Sequence, residues 1–317
     1  MHHSIGLDPL PAAYRGASVA LGNFDGVHHG HRAILAAARQ SAGALGVVTF
    51  EPHPRSVLRA PDRTFRLTSP TSKAQALADA GVEVLVEVPF DKAFASLPPE
   101  AFVQRVLADA VGASNVTVGA DFRFGAERAG TPETLTALGQ VHGFGVTVVE
   151  EVHAEDGVPF SSTAIRAHLR DGRPVEAARM LGRWWEIDGL VTPNRQLGRT
   201  IGFPTANLSL GDLLEPMLGV YAVRAGIGEG DALRWHDAIA NLGRRPTVGG
   251  DALLLETHVF DFDGDLYEKP LRVQLIGFIR PEQKFNGLDE LKAQIARDCD
   301  TARSILAETD IEQFSGS

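Results

Sequence analysis

Residues 22–31 read Gly-Asn-Phe-Asp-Gly-Val-His-His-Gly-His, directly after a short apolar run at 18–21 and directly before a strong helical pattern. A strand that ends in a glycine turn and feeds a helix start is built to hold an anion. Gly22 and Gly26 permit a tight turn, Gly30 allows a phosphate to approach the backbone, and the helix start offers unpaired amides at the positive end of its dipole. His28 and His31, three apart across that start, can face one phosphate and balance charge growing on its oxygens. Capping with solvent exposure is the competing use of a single histidine. The string is neither a GxGxxG fingerprint nor a P-loop lysine motif, and a spacing of three without a third ligand speaks against zinc.

A second chemical cluster lies in the other half of the chain. Pro204 sets an extended path, so Thr205 and Asn207 project to one side while Ala206 and Leu208 project to the other. A hydroxyl and a carboxamide can hold Mg²⁺ already bound to nucleotide phosphates, because magnesium keeps its waters and needs few protein ligands. A barrel strand with polar surface residues would look the same. Glu256 sits in the apolar run Leu-Leu-Leu-Glu-Thr-His-Val-Phe, where an unpaired buried carboxylate costs several kcal/mol. It either has a chemical task or faces solvent outside the sheet.

Two kinds of architecture must position these groups. Up to about residue 185, short β-branched runs at 18–21, 45–50, 82–88, 115–118 and 146–149 alternate with helical patterns at 32–42, 71–80 and 99–111, and Thr131, Pro132 and Glu133 start another. That alternation predicts an α/β fold, a Rossmann-like parallel sheet covered on both faces, with ligands at the carboxyl ends of the strands. Beyond 185 the period becomes two, with runs at 185–191, 220–227, 238–242, 253–262 and 271–279. Short consecutive strands predict a small antiparallel β-barrel. A final helix at about 288–306 aligns Leu288, Leu291, Ile295, Cys299, Ala302 and Leu306 for packing across it, which makes Cys299 a core thiol. Arg183, Trp184 and Trp185 mark the join, where large rings stabilise a domain contact. The expected division is 1–184 and 185–317.

Composition narrows the partners. Thirty Lys and Arg against forty Asp and Glu give a net charge of −10, which offers no general attraction to nucleic acid or an anionic membrane. One cysteine, Cys299, excludes a disulfide framework and fits a reducing compartment. No signal peptide and no run of about 18 apolar residues is visible, so a soluble cytoplasmic protein is expected.

Four motifs in register carry a resemblance: GNFDGVHHGH at 22–31, TFEPHP at 49–54, VGADFRFG at 118–125 and SSTAIR at 161–166. Together they resemble the adenylyltransferase module of the bacterial bifunctional riboflavin kinase/FAD synthetase family. The second half resembles that family independently, through GRTIGFPTANL at 198–208, ANLGRRPTVGG at 240–250, LLLETHVFDFDGDLY at 253–267 and QKFNGLDEL at 283–291. The resemblance implies phosphorylation of riboflavin to FMN, then transfer of AMP from ATP to FMN with release of pyrophosphate. Riboflavin, FMN and ATP are the implied partners, with Mg²⁺ accompanying ATP and flavins serving as substrate and product.

It also implies roles. His28 and His31 contact ATP phosphates, with Gly22, Phe24 and Gly30 in the same ATP site. Ser162, Thr163 and Arg166 close on the phosphates, a task suited to two hydroxyls and a fork-shaped cation, although an N-cap and a surface arginine would read alike. Asp121 and Arg123 lie on the flavin side. Pro52 and Pro54 either touch flavin or stiffen their loop. In the barrel, Gly198 and Arg199 belong to the nucleotide loop, Thr205 and Asn207 hold the metal, and Glu256 accepts the proton of the riboflavin 5′-hydroxyl. Asn194 stands where the family usually has glycine, four residues before the Gly-Arg pair, and Phe160 replaces a smaller aliphatic. The altered loop leaves an alternative in which only the adenylyltransferase is active and the barrel binds flavin or regulates. A non-catalytic flavin carrier would require both sites to be degenerate.

Overall fold

The computed structural model describes residues 1–58, 64–154, 157–192, 202–247, 250–310 and 314. They form two compact units, one of residues 1–63 and 70–161 and one of 64–69 and 162–317.

The first unit is a six-stranded, all-parallel sheet of β1 (His2–Ile5), β2 (Ser18–Leu21), β3 (Leu45–Glu51), β4 (Val84–Pro89), β5 (Asn115–Gly119) and β6 (Gly145–Val149). The expected α/β sheet is present. Its spatial order is β1-β4-β3-β2-β5-β6, so the chain runs outward through β2, β3 and β4 and then returns to add β5 on the other side of β2. The direction of winding reverses between β2 and β5. The helices are α1 (His29–Ala38), α2 (Pro54–Leu58), α3 (Pro70–Asp79), α4 (Lys92–Ala95), α5 (Pro99–Phe102, continuing as a π-helix over Val103–Val111) and α6 (Pro132–His142). Proline opens α5 and α6, where its missing N–H costs nothing. β2 through β5 are largely buried on both faces, as packing between two layers demands, and separate apolar clusters around Leu21 and Val106 and around Phe24 and Leu77 fill those layers. The sequence pattern missed β1, whose polar and exposed alternation marks an edge strand.

The second unit contains α7 (Ser162–Arg170), α8 (Pro174–Leu181), the strands β7 (Glu186–Leu190), β8 (Ala206–Ser209), β9 (Gly219–Ile227), β10 (Arg234–Thr247), β11 (Gly250–Val259) and β12 (Pro270–Arg280), and α9 (Leu288–Glu308). All pairings in the order β7-β12-β9-β10-β11-β8 are antiparallel, and a bridge between Thr192 and Asn207 brings the two ends nearly to closure. This is the expected barrel.

Helix α9 differs from expectation at one end. Ala302 and Leu306 are buried and Cys299 packs against the same cluster, whereas Leu288 is exposed. Burial pushes the Cys299 thiol up to about 11, so it is protonated and inert at neutral pH. The two tryptophans serve the second unit's own core. Trp184 lies edge-on to Phe314, and the Trp185 indole donates to the Leu67 carbonyl at 2.8 Å. Residues 64–69 therefore travel with the barrel, held also by Arg66 N–H to Asp212 and Leu214 N–H to Arg66.

Candidate active sites

The turn between β2 and α1 spends backbone strain to make a cradle. Phe24 and Val27 both take positive φ, 50° and 44°, and Gly26 lies at 94°. Left-handed geometry at a β-branched valine is costly and persists only where the surroundings enforce it. Here they do, because the Phe24 and Val27 side chains are fully buried in the cluster under α1. With its ring committed to the core, Phe24 can offer a ligand only its backbone. Gly22 N–H donates to the Val48 carbonyl at 3.1 Å, tying the turn to β3.

His28 is the N-cap of α1, and its Nδ1 accepts from His31 N–H at 3.4 Å. An Nδ1 acting as acceptor leaves Nε2 as the protonated, donating nitrogen, the tautomer a phosphate oxygen requires. The two imidazoles stack with centroids 3.7 Å apart, so the helix start holds both rings together, as their spacing predicts. Gly30 has a further reason to lack a side chain. A Cβ there would come 2.8 Å from the Phe160 carbonyl oxygen and 3.1 Å from the His28 ring. Phe160 itself lies 5.0 Å from the His29 ring.

Because β3, β2 and β5 are adjacent and parallel, their carboxyl ends form one edge. That edge carries Pro52 and Pro54 after β3, the His28–His31 turn after β2, and Asp121 and Arg123 after β5. It includes the point between β2 and β5 where winding reverses, the place where open α/β sheets bind ligands. Asp121 and Arg123 are both exposed, and Arg123 donates to the Phe122 carbonyl at 2.7 Å. Behind them, Phe122 and Phe124 stack at 5.9 Å and Phe124 meets Phe102 at 5.3 Å. In the second unit Ser162, Thr163 and Arg166 open α7. Arg166 is mostly buried, donates from Nε to the Phe65 carbonyl at 2.7 Å and lies over the Phe65 ring.

In the barrel the site is a row across three strands. Register places Asn207 of β8 opposite Glu256 of β11, and Glu256 opposite Asn241 of β10. Opposed residues project to one face with Cβ atoms about 5 Å apart, so two carboxamides flank the carboxylate. Ala206, Leu255 and Leu208 occupy the buried face, so Glu256 is not a core group. Asn207 is 3% exposed, and among the described residues its Oδ1 accepts no hydrogen bond. Thr205 precedes β8 on the Asn207 side of the alternation. His258, two residues after Glu256, donates from Nδ1 to the Pro204 carbonyl at 2.8 Å and packs edge-on to Phe203 at 5.6 Å, fixing the approach to Thr205. Gly198, Arg199 and Asn194 lie outside the described residues.

Sequence reasoning offered Asn241 as a residue shaping the same pocket or a structural loop, and passed over the tether at His258 and Lys73. Lys73 lies on the buried face of α3 with Ala76 and Leu77. A charged residue at a core position of an amphipathic helix was the available signal.

Comparison with known proteins agrees with both halves. The FAD synthetase family profile matches residues 10–164 and the riboflavin kinase profile matches 181–306. A bifunctional riboflavin kinase/FMN adenylyltransferase of Escherichia coli (strain K12) is 41% identical over 94% of this chain and 95% of its own. The protein of that name from Listeria monocytogenes is 36% identical over 97% of both chains. A crystal structure named macrolide-efflux protein, from Streptococcus pneumoniae, superposes with a TM-score of 0.82 at 30% identity, covering 96% of this chain and 99% of its own. Among the described residues no helix is long and apolar enough to cross a membrane. On shared sequence across nearly its whole length, the chain belongs to the bifunctional riboflavin kinase/FMN adenylyltransferase family.

Proposed function

We infer that the family's two activities occupy separate sites on this chain, adenylylation of FMN at the β2–α1 turn and phosphorylation of riboflavin along the Asn207–Glu256 row. The observation that carries this reading is the His28–His31 pair, capped and stacked on a helix start at the strand edge where winding reverses. Helix amides and two imidazoles can bind the ATP phosphates there and stabilise charge as pyrophosphate departs. Gly22, Phe24 and Gly30 contribute backbone, and Ser162, Thr163 and Arg166 contribute donors to the nucleotide. Asp121, Arg123, Pro52 and Pro54 form the flavin side. Every residue assigned to adenylyl transfer precedes 185 and every kinase residue follows it, which is the sense of a functional division into 1–184 and 185–317. Packing places 162–184 with the barrel.

In the kinase site Glu256 takes the proton of the riboflavin 5′-hydroxyl as that oxygen attacks the γ-phosphate. Asn241 and Asn207 hold the carboxylate's neighbourhood polar, and His258 keeps Pro204 and Thr205 in place. The donors fit Mg²⁺, since Thr205 and the buried Asn207 Oδ1 are hard neutral oxygens and the latter accepts no hydrogen bond among the described residues. Bound with ATP, Mg²⁺ would neutralise and orient the transferring phosphate. Gly198 and Arg199 complete the nucleotide loop. Riboflavin incubated with ATP and Mg²⁺, followed by chromatography, tests the reading. FMN should appear first and FAD with pyrophosphate after it. FAD formed only from supplied FMN would leave the barrel as a flavin-binding or regulatory domain.

A further inference from the structure

A fully buried lysine stands behind the phosphate turn. The Lys73 side chain is 1% exposed, on the face of α3 where Ala76 and Leu77 meet the sheet. Its Nζ lies 3.0 Å from Glu51 Oε2 and 3.4 Å from Thr49 Oγ1. Thr49 and Glu51, two apart on β3, share a face. The Thr49 hydroxyl, itself fully buried, donates to the Asn23 carbonyl at 3.1 Å. The result is a relay from ammonium to hydroxyl to the carbonyl of the second residue in the turn.

A buried ion pair is a poor device for stability, because its attraction roughly repays the desolvation of both charges and an apolar pair of similar volume often does better. A different benefit is visible in the geometry. The Asn23–Phe24 peptide is planar and trans, so a carbonyl held by Thr49 forces the Phe24 N–H to point the opposite way, away from β3. Donation from Lys73 polarises the hydroxyl and strengthens its grip on that carbonyl. The same ammonium holds Glu51, the residue from which the Pro52–Pro54 loop departs.

We propose that Lys73 and Thr49 are positioning residues for adenylyl transfer, fixing the Asn23–Phe24 peptide plane of the phosphate turn and, through Glu51, the start of the flavin-side loop. The proposal rests on the reading of residues 22–31 as the ATP-phosphate site.

The test uses the full chain, with folding of the first unit read by thermal unfolding and riboflavin phosphorylation reporting that the second unit is intact. Thr49→Val keeps shape and removes the relay. Its kcat/KM for FMN adenylylation should fall about tenfold, mainly through a raised KM for ATP, with kinase activity unchanged; misplacement of a reacting group can cost about a hundredfold. Thr49→Ser, which restores the hydroxyl, should recover most of the loss. Lys73→Met should match or exceed Thr49→Val, and if it fails to fold, the two threonine variants carry the test. His28→Ala is the reference. Loss of adenylylation in His28→Ala with Thr49→Val within about twofold of the parent overturns this proposal alone. A drop in thermal stability of Thr49→Val without a change in KM for ATP also overturns it. Full adenylylation by His28→Ala overturns the phosphate-site reading, and this proposal with it.

Discussion

The two sites we propose for nucleotide phosphates are built of different materials. The β2–α1 turn is mainly backbone: a helix N-terminus, a run of positive φ at Phe24, Gly26 and Val27, and a glycine squeezed beneath the Phe160 carbonyl. Its strain is borne by side chains buried in the sheet's own core. The barrel row has no such distortion. It displays Asn207, Glu256 and Asn241 from regular antiparallel strands, and register alone aligns them. A site of bent backbone should respond sharply to any added atom, whereas a site of displayed side chains should respond according to the chemistry of the group removed.

The largest expected effect is at Glu256. Glu256→Gln keeps size and hydrogen bonding but cannot take a proton, so phosphorylation of riboflavin should fall by about 10²–10⁴ while FAD still forms from supplied FMN. A kinase rate within about threefold of the parent would remove the general-base assignment. His28→Ala should act in mirror image, lowering FAD formation about 10²–10³-fold while FMN accumulates, as expected when a donor to developing charge is lost. Equal loss of both products in a folded variant would show that the sites are not independent.

Thr205→Ala should weaken the kinase about tenfold and be partly rescued by raising ATP and Mg²⁺ together, since a neutral hydroxyl holds the metal only with its nucleotide. Tight stoichiometric Mg²⁺ binding without nucleotide, measured by calorimetry, would contradict that. The smallest effect, and the one most specific to bent backbone, is at Gly30. Gly30 is the second residue of α1, so by helix propensity alone Gly30→Ala gains less than the roughly 1 kcal/mol of a helix interior. The added Cβ would meet the Phe160 carbonyl at 2.8 Å, so we expect a net loss of about 1–2 kcal/mol by denaturant unfolding, with FAD formation impaired and kinase activity kept. A net gain in stability would show that the turn is looser than it looks.

What the sequence determined by itself is what is contiguous. The turn at 22–31, the alternation of strands and helices before 185 and the period-two runs after it depend on neighbours along the chain, and local stereochemistry reads them directly. Strand β1 escaped because an exposed edge strand carries little apolar pattern, and Leu288 was placed on a buried stripe because helical phase says which residues share a face but not how far the underlying barrel extends. Tertiary structure alone decided the pairings. Period two puts Thr205 and Asn207 on one side of a strand, yet a slip of one residue in β11 would send Glu256 to the opposite face, and only the assembled sheet sets that register. Nor could the sequence join Lys73 to Glu51 and Thr49. A lysine among core positions of a helix shows that a partner must exist, but only the packing of α3 on β3 specifies which carboxylate and hydroxyl meet it, because burial and pairing arise together when the layers close.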